Sequence, residues 1–333
     1  MLKPQNFVDL EALSSAQGIA LATRSDGVKI KILGDDVIIE KDGGLALSNR
    51  HLRGGSGTLS RIIEPEDDGT VEFVSLSTTG PGAFRSRLNE LQSDLTQTPE
   101  GKRAKPLMAL ARFYLAHQFP QEAMGWLNLA LEETLALAED SSFNLVKGAA
   151  LAMADRPEEA YEHLHRPDLK NSPDAAVWQT IVDVKLGNWT QARIAMPRGR
   201  AVVGNYPTSI QTEFKLAAAQ SMVEANDFGI ANGILAEIEP AEVTRAQAAR
   251  YDILRGRVAD ASGRSQEALT VFDLVARSDD RPRAAEAEYR ALRIRYRDGE
   301  MTIDEAIDQL AALSTSWRGD EIELRTLRFL AQL

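Results

Sequence analysis

The side chains with which this sequence could do chemistry are four histidines and 49 carboxylates, and there is no cysteine. Without cysteine there is no disulfide, no thiolate metal site and no thiol nucleophile. The histidines are His51, His117, His163 and His165, and only His163-Leu164-His165 forms a close pair. Side chains at i and i+2 point apart on a helix, so these two imidazoles need different neighbours. With Asp168 nearby, a metal site and a solvated surface are both open readings of the pair. His117 falls at the end of an expected helix, where an imidazole complements the C-terminal dipole. The densest acidic run, Glu64-Pro65-Glu66-Asp67-Asp68, reads as a solvated loop. Nowhere does the pattern set two acids in an apolar surrounding, as glycoside chemistry requires. Arg53-Gly54-Gly55-Ser56-Gly57 is glycine-rich but lacks the Lys-Ser/Thr and the helix of a phosphate cradle. No Gly-x-Ser-x-Gly elbow, His-Glu-x-x-His or dinucleotide fingerprint is present. The expectation is a non-enzymatic chain with no cofactor and no metal.

Bulk properties narrow the partners. A net charge of −11 over 333 residues opposes a nucleic-acid surface, which needs a concentrated excess of Lys and Arg. No apolar run approaches the ~18–20 residues that span a bilayer, so direct membrane insertion is not expected. A composition of 44% hydrophobic and 26% charged residues is that of a folded chain.

The elements that would position a site fall into three stretches. Residues 1–80 read as a small β-rich segment. Ile19–Thr23 and Val28–Leu33 alternate around Ser25-Asp26-Gly27, and Val37–Glu40 and Leu45–Leu47 flank Lys41-Asp42-Gly43-Gly44. Val71–Leu76 is expected to return as one more strand. Residues 81–104 read as a helix and linker. Phe84, Leu88, Leu91 and Leu95 share one helix face, and Pro99 and Gly101 follow. From 105 to 333 the period stays helical.

Within that last stretch one anchor recurs, an alanine closing a short polar turn. It appears at Ala123, Ala160, Ala192, Ala231, Ala268 and Ala306, at spacings of 37, 32, 39, 37 and 38. A helix-turn-helix repeat of ~34 residues is the period of a tetratricopeptide array. Leu107, Leu110, Ala111, Tyr114, Ala123, Leu127 and Ala130 carry the resemblance to the tetratricopeptide repeat family most fully. Gly148, Leu151, Ala160 and Leu164 fit a second unit, Ala219, Met222, Ala231, Leu235 and Ile238 a fourth, and Gly256, Ala259, Ala268, Phe272 and Val275 a fifth. The third keeps Trp178 and Ala192, with a first helix about two residues short, and the sixth has a longer turn, Gly299–Ile303. Pro120 and Pro157 suit first helical positions. Gly187, Gly263 and Gly299 suit inter-helix turns. Thr302 and Asp320 stand where helix caps are needed.

The resemblance implies a mainly α fold, an α-α superhelix of about six helix pairs behind the β-rich segment. It also implies a protein-protein interaction scaffold. In this family the first helix of each pair lines a concave groove. Carried over residue by residue, that groove holds Lys105, Met108, Arg112 and Leu115 in the first unit, and Leu145 and Met153 in the second. Gln220 follows in the fourth, and Arg250, Arg257 and Asp260 in the fifth. Lys105 and Arg112 would make half of the family's carboxylate clamp, but its asparagine is missing. Two methionines suit an adaptable peptide seat, while Met108 and Leu145 are equally readable as packed inside the array.

Leu327, Leu330 and Ala331 match the opening of a seventh unit. This suggests a fragment of a longer protein with self-association through the C-terminal helix, or alternatively a terminal cap. Trp317–Leu327, with the β-rich start, resembles large repeat proteins of alphaproteobacterial cell envelopes. That resemblance implies a periplasmic setting. A structural role, the array stacking on further repeats without a peptide site, stands as the alternative function.

Overall fold

The computed structural model describes residues 80–333 continuously, together with Leu76 and five strands between Gln5 and Lys41. The chain divides into two compact units, Met1–Glu64 and Pro65–Leu333. In the first, β1 (Gln5–Asn6), β2 (Leu10–Leu13) and β3 (Ala20–Thr23) form an antiparallel sheet. β4 (Val28–Leu33) pairs with β5 (Asp36–Lys41).

The expected pairings do not hold. β3 turns back onto β2, and β4 takes β5, starting from Leu33 opposite Asp36. Those two residues are close in sequence, and such short connections set hairpin register most cheaply. The register sets Ile30 opposite Ile39 and Ile32 opposite Val37. Leu76, read as the end of a strand, is helical and packs on the core of the helical unit. The expected strands at 45–47 and 71–75 lie outside the described residues, as do the loops read at 50–70.

Among its described residues the second unit is helical. α1 (Pro81–Gln97) is followed by six antiparallel pairs. These are α2 (Ala104–Ala116) with α3 (Pro120–Glu133), α4 (Ser141–Met153) with α5 (Pro157–Leu164), and α6 (Pro173–Lys185) with α7 (Trp189–Arg200). Then come α8 (Thr208–Glu224) with α9 (Phe228–Ala236), α10 (Arg245–Ala261) with α11 (Ser265–Ala276), and α12 (Arg281–Arg297) with α13 (Ile303–Ser316). α14 (Glu321–Leu330) comes last. In α1, Phe84, Leu88, Leu91 and Leu95 pack against Leu110 and Phe113 of α2. Helix α6 has 13 residues, as α2 and α4 have, so the third unit's first helix is not short. The missing length lies in α5, which has 8 residues.

Each pair is closed by the same turn. One residue adopts the left-handed conformation at Gln118, Asp155, Gly187, Asn226, Gly263 and Gly299, with φ between 58° and 77°. The next amide reaches back five residues, as from Phe119 N to Tyr114 O at 2.9 Å and from Glu300 N to Arg295 O at 2.8 Å. This is the αL helix stop, which satisfies otherwise orphaned carbonyls. Glycine takes it without strain in three pairs; asparagine and aspartate tolerate it in two. Small residues then let the two helices of a pair meet. A Cβ on Gly148 would lie 2.5 Å from Leu164, and one on Gly256 would lie 2.5 Å from Phe272. The expected caps form as well: Thr302 and Glu305 complete a capping box, and Asp320 accepts from Ile322 N and Glu323 N.

Candidate functional site

First helices of successive pairs pack side by side, so the residues expected to line a groove fall on one inner face. Along pairs one to three that face is sealed. Met108 is 7% exposed, Leu115 0% and Leu145 1%, all inside one apolar cluster running from Leu107 to Ala217, with Met153 packed against it. These residues are core, not a peptide seat. Their burial follows from close stacking of short, small-residue helices, since alanines at 111, 149 and 150 leave no space for a groove. Lys105 remains exposed at the start of α2. Arg112 donates to Ser142 Oγ and so ties pair one to pair two. Ser209 Oγ, at the start of α8, donates to Gln118 Oε1 at 3.0 Å, joining pair four to the first turn. In pair three Tyr206 covers the same stripe, its buried hydroxyl donating to Asp174 at 2.6 Å. Burial, with the Asp174 charge beside it, raises the Tyr206 pKa well above its ordinary value.

From pair four onward the same positions carry charges, and they pair from one repeat to the next. Arg250 donates from Nη1 to Glu213 at 2.6 Å and from Nε to Gln220 at 2.9 Å. Arg257 pairs with Glu224, and Arg297 reaches Asp260 at 2.7 Å. Arg290 grips Glu286 through Nε at 3.0 Å and Nη2 at 2.7 Å. Burial by itself would raise the Glu213 and Glu286 carboxyls. The Arg250 guanidinium with the Gln247 amide and the Lys185 charge at the first, and Arg290 with the Arg283 and Arg257 charges at the second, together outweigh it and hold both below the usual carboxylate range. Gln220, Arg250, Arg257 and Asp260 are therefore all engaged in tying repeats together.

Two of them do more. Arg257 and Asp260 line a concavity of about 450 Å³ bordered mainly by α10, α12 and α14, with Arg290, Arg293, Arg297, Tyr296 and Phe329; Phe228 of α9 and Phe272 of α11 also reach it. The arginines of α12 were not foreseen. Arg290, Arg293 and Arg297 recur at helical spacing on one face, a signal present in the sequence. Aligning the sixth unit on Ala306 misplaces them, because Gly299 precedes that alanine by seven residues, whereas Gly263 precedes Ala268 by five. Counted back from Gly299, Arg293 and Arg297 fall at groove positions.

The histidines are structural joints. His163 Nδ1 donates to Asn144 Oδ1 at 2.7 Å, and the Asn144 amide is oriented by Ala138 O and Asp140 O. Burial, then the nearby Lys147 charge, lowers the His163 pKa. His165 stacks on Tyr161 at 3.8 Å and meets the buried Asp183 of the next pair at 3.1 Å. Neither is a freely solvated side chain, and Asp168 pairs with Arg166 instead. Nδ1 of His117, the cap of α2, donates to Phe113 O at 2.8 Å. Among the described residues no group of three or more His, Asp or Glu is placed to hold a metal ion. No helix among them is long and apolar enough to cross a membrane.

No protein-family model matches this sequence, and no curated protein matches it. Seven chains of solved structures do. One is a tetratricopeptide repeat protein from Parabacteroides merdae, 12% identical, aligned over 75% of this chain and 93% of that one with a TM-score of 0.39. So loose a superposition carries no argument alone. What the structure itself shows is a helical-hairpin repeat, carried by the six αL turns and the small-residue contacts within pairs.

Proposed function

We propose that this chain is a non-enzymatic interaction scaffold that holds a peptide or helix of a protein partner on the inner face of its last two pairs. One observation carries the reading: Arg257 and Asp260, on the stripe where arrays of this kind bind partners, border an open concavity rather than the packed interior. The site sits on rigid helices, as a recognition surface requires. A bacterial cell-envelope assembly in the periplasm is the proposed setting, supported by the resemblance of Trp317–Leu327 to envelope repeat proteins.

A photo-crosslinking amino acid in place of Arg293, which faces the concavity, tests this in an envelope extract against the same group at Leu274, an exposed residue of α11. A discrete adduct from position 293 alone supports the scaffold. Equal labelling from both positions, or none, overturns it. Adducts only between copies of the chain would shift the role to stacking, for which exposed Leu324 and Leu327 of α14 are the available surface.

A further inference from the structure

The concavity bordered by α10, α12 and α14 has a chemistry opposite to that of the whole chain. Net charge is −11, yet four arginines line this one space and a single carboxylate, Asp260, faces them. Two of the arginines are held from behind. Arg257 is fixed by Glu224, and Arg290 by Glu286. A guanidinium has five N–H donors in a rigid fork, so each keeps donors to present after pairing. Arg293 is different. Among the described residues it forms no ion pair; its guanidinium lies over the Tyr289 ring, 5.8 Å from the centroid. That stacking orients the cation without neutralising it.

Like charge accumulates here. Burial lowers the Arg290 pKa, Glu286 partly restores it, and the positive charges of Arg257 and Arg325 add to the lowering. A bound anion would relieve that repulsion. Beside the arginines, Phe329 stands edge-on to Tyr296, with ring centroids 5.8 Å apart, and gives the space an apolar wall. Asp260 is paired with Arg297, so that arginine is already partly neutralised. Arg257, Arg290 and Arg293 are thus the cations left to seat an anion, and Phe329 is the apolar seat.

We propose that this concavity binds an acidic peptide segment of a protein partner, with Asp or Glu carboxylates on Arg257 and Arg293 and an apolar side chain against Phe329. The proposal rests on the scaffold reading and gives its partner a chemistry. Arg–carboxylate forks supply directional, charge-assisted hydrogen bonds. A nucleic acid or an anionic bilayer would meet the repulsion of the remaining surface at long range, whereas a short acidic segment meets the local cluster. The volume lies within the ~300–1,000 Å³ of sites that enclose a few side chains.

The test uses the full chain and a labelled peptide of glutamates with one phenylalanine, compared by fluorescence anisotropy with its glutamine twin. The expected result is saturable binding of the acidic peptide, at least about tenfold weaker for the twin and for Arg293→Glu. The interaction should also weaken steadily from about 50 to about 200 mM salt. Arg293 is exposed, so its substitution leaves packing intact, and Arg245→Glu on the same unit serves as a charge control that keeps binding. Equal affinity for both peptides overturns the proposal, as does indifference to Arg293→Glu. Saturable binding of inorganic phosphate without preference between the peptides would also overturn it, assigning the arginines to a small anion. If the acidic peptide fails while the adduct at position 293 still forms, the anion chemistry falls and the scaffold stands. Failure of both removes both.

Discussion

Pairs one to three and pairs four to six repeat the same helix-turn-helix plan and bury different things between repeats. The first three share one continuous apolar cluster, Leu107 to Ala217, with Phe143 and Trp178 among its largest fully buried side chains. The last three are divided among separate clusters, centred on Leu235, Phe272 and Leu292, and are stitched along their inner face by Glu213–Arg250, Glu224–Arg257 and Asp260–Arg297. An apolar seam is non-directional and closes the inner face. A charged seam needs the donors and acceptors to stay in reach, and it leaves arginines at a solvent-accessible edge. The comparison teaches that the open, arginine-lined part of the inner face is confined to the half whose repeats are held by ions.

The sharpest break in that contrast comes from the apolar half. Phe143→Ala should cost about 3–5 kcal/mol, read as a lower urea midpoint, because the hole opens inside a cluster spanning three pairs. A loss below about 1 kcal/mol would mean that this half is not one packed body. In the charged half, Arg250→Ala leaves Glu213 facing a partly dry interior without its partner. It should cost about 1–3 kcal/mol, while Arg250→Met with Glu213→Met should be close to neutral. A double substitution as damaging as the single one would show the seam to be net stabilising, beyond satisfying its own charges. Gly148→Ala should destabilise by about 1–2 kcal/mol despite alanine's better helix propensity, because its methyl collides with Leu164. Refolding to equal or higher stability would contradict the close helix approach.

Acid should separate the halves more gently. His163 in the apolar half has a lowered pKa, so its contribution fades as pH falls through the free-histidine value of about 6.5. The lowered carboxyls of Glu213 and Glu286 contribute above the ordinary carboxylate value of about 4.3. Their contribution is lost only below that value. Amide exchange measured on stepwise acidification should therefore rise first in α4 and α5 and later in α8, α10 and α12. The reverse order would refute the assignment of these groups.

Much of the repeat was legible, and for local reasons. Proline at the first helical position, glycine in the turn and a small residue at the tightest contact are each read from a few neighbours in sequence. Gln118, Asp155 and Asn226 take the same turn without glycine and escaped notice, because their backbone conformation is enforced by the closing of the pair. The candidate site was half legible. Arg257 and Asp260, read onto the stripe, border the open concavity, while Met108, Leu115 and Leu145 were equally on it and proved to be core.

The sequence by itself determined the helical class of residues 105–333, about six pairs and the caps at Thr302 and Asp320, since periodicity, turn chemistry and capping act within about one repeat. Only the tertiary structure decided which part of the inner stripe is sealed and which is open, and that Arg293 joins Arg257 across two pairs. Exposure at those positions is a sum over the stacking of successive pairs and the side chains that meet between them. No window of one repeat's length contains that sum.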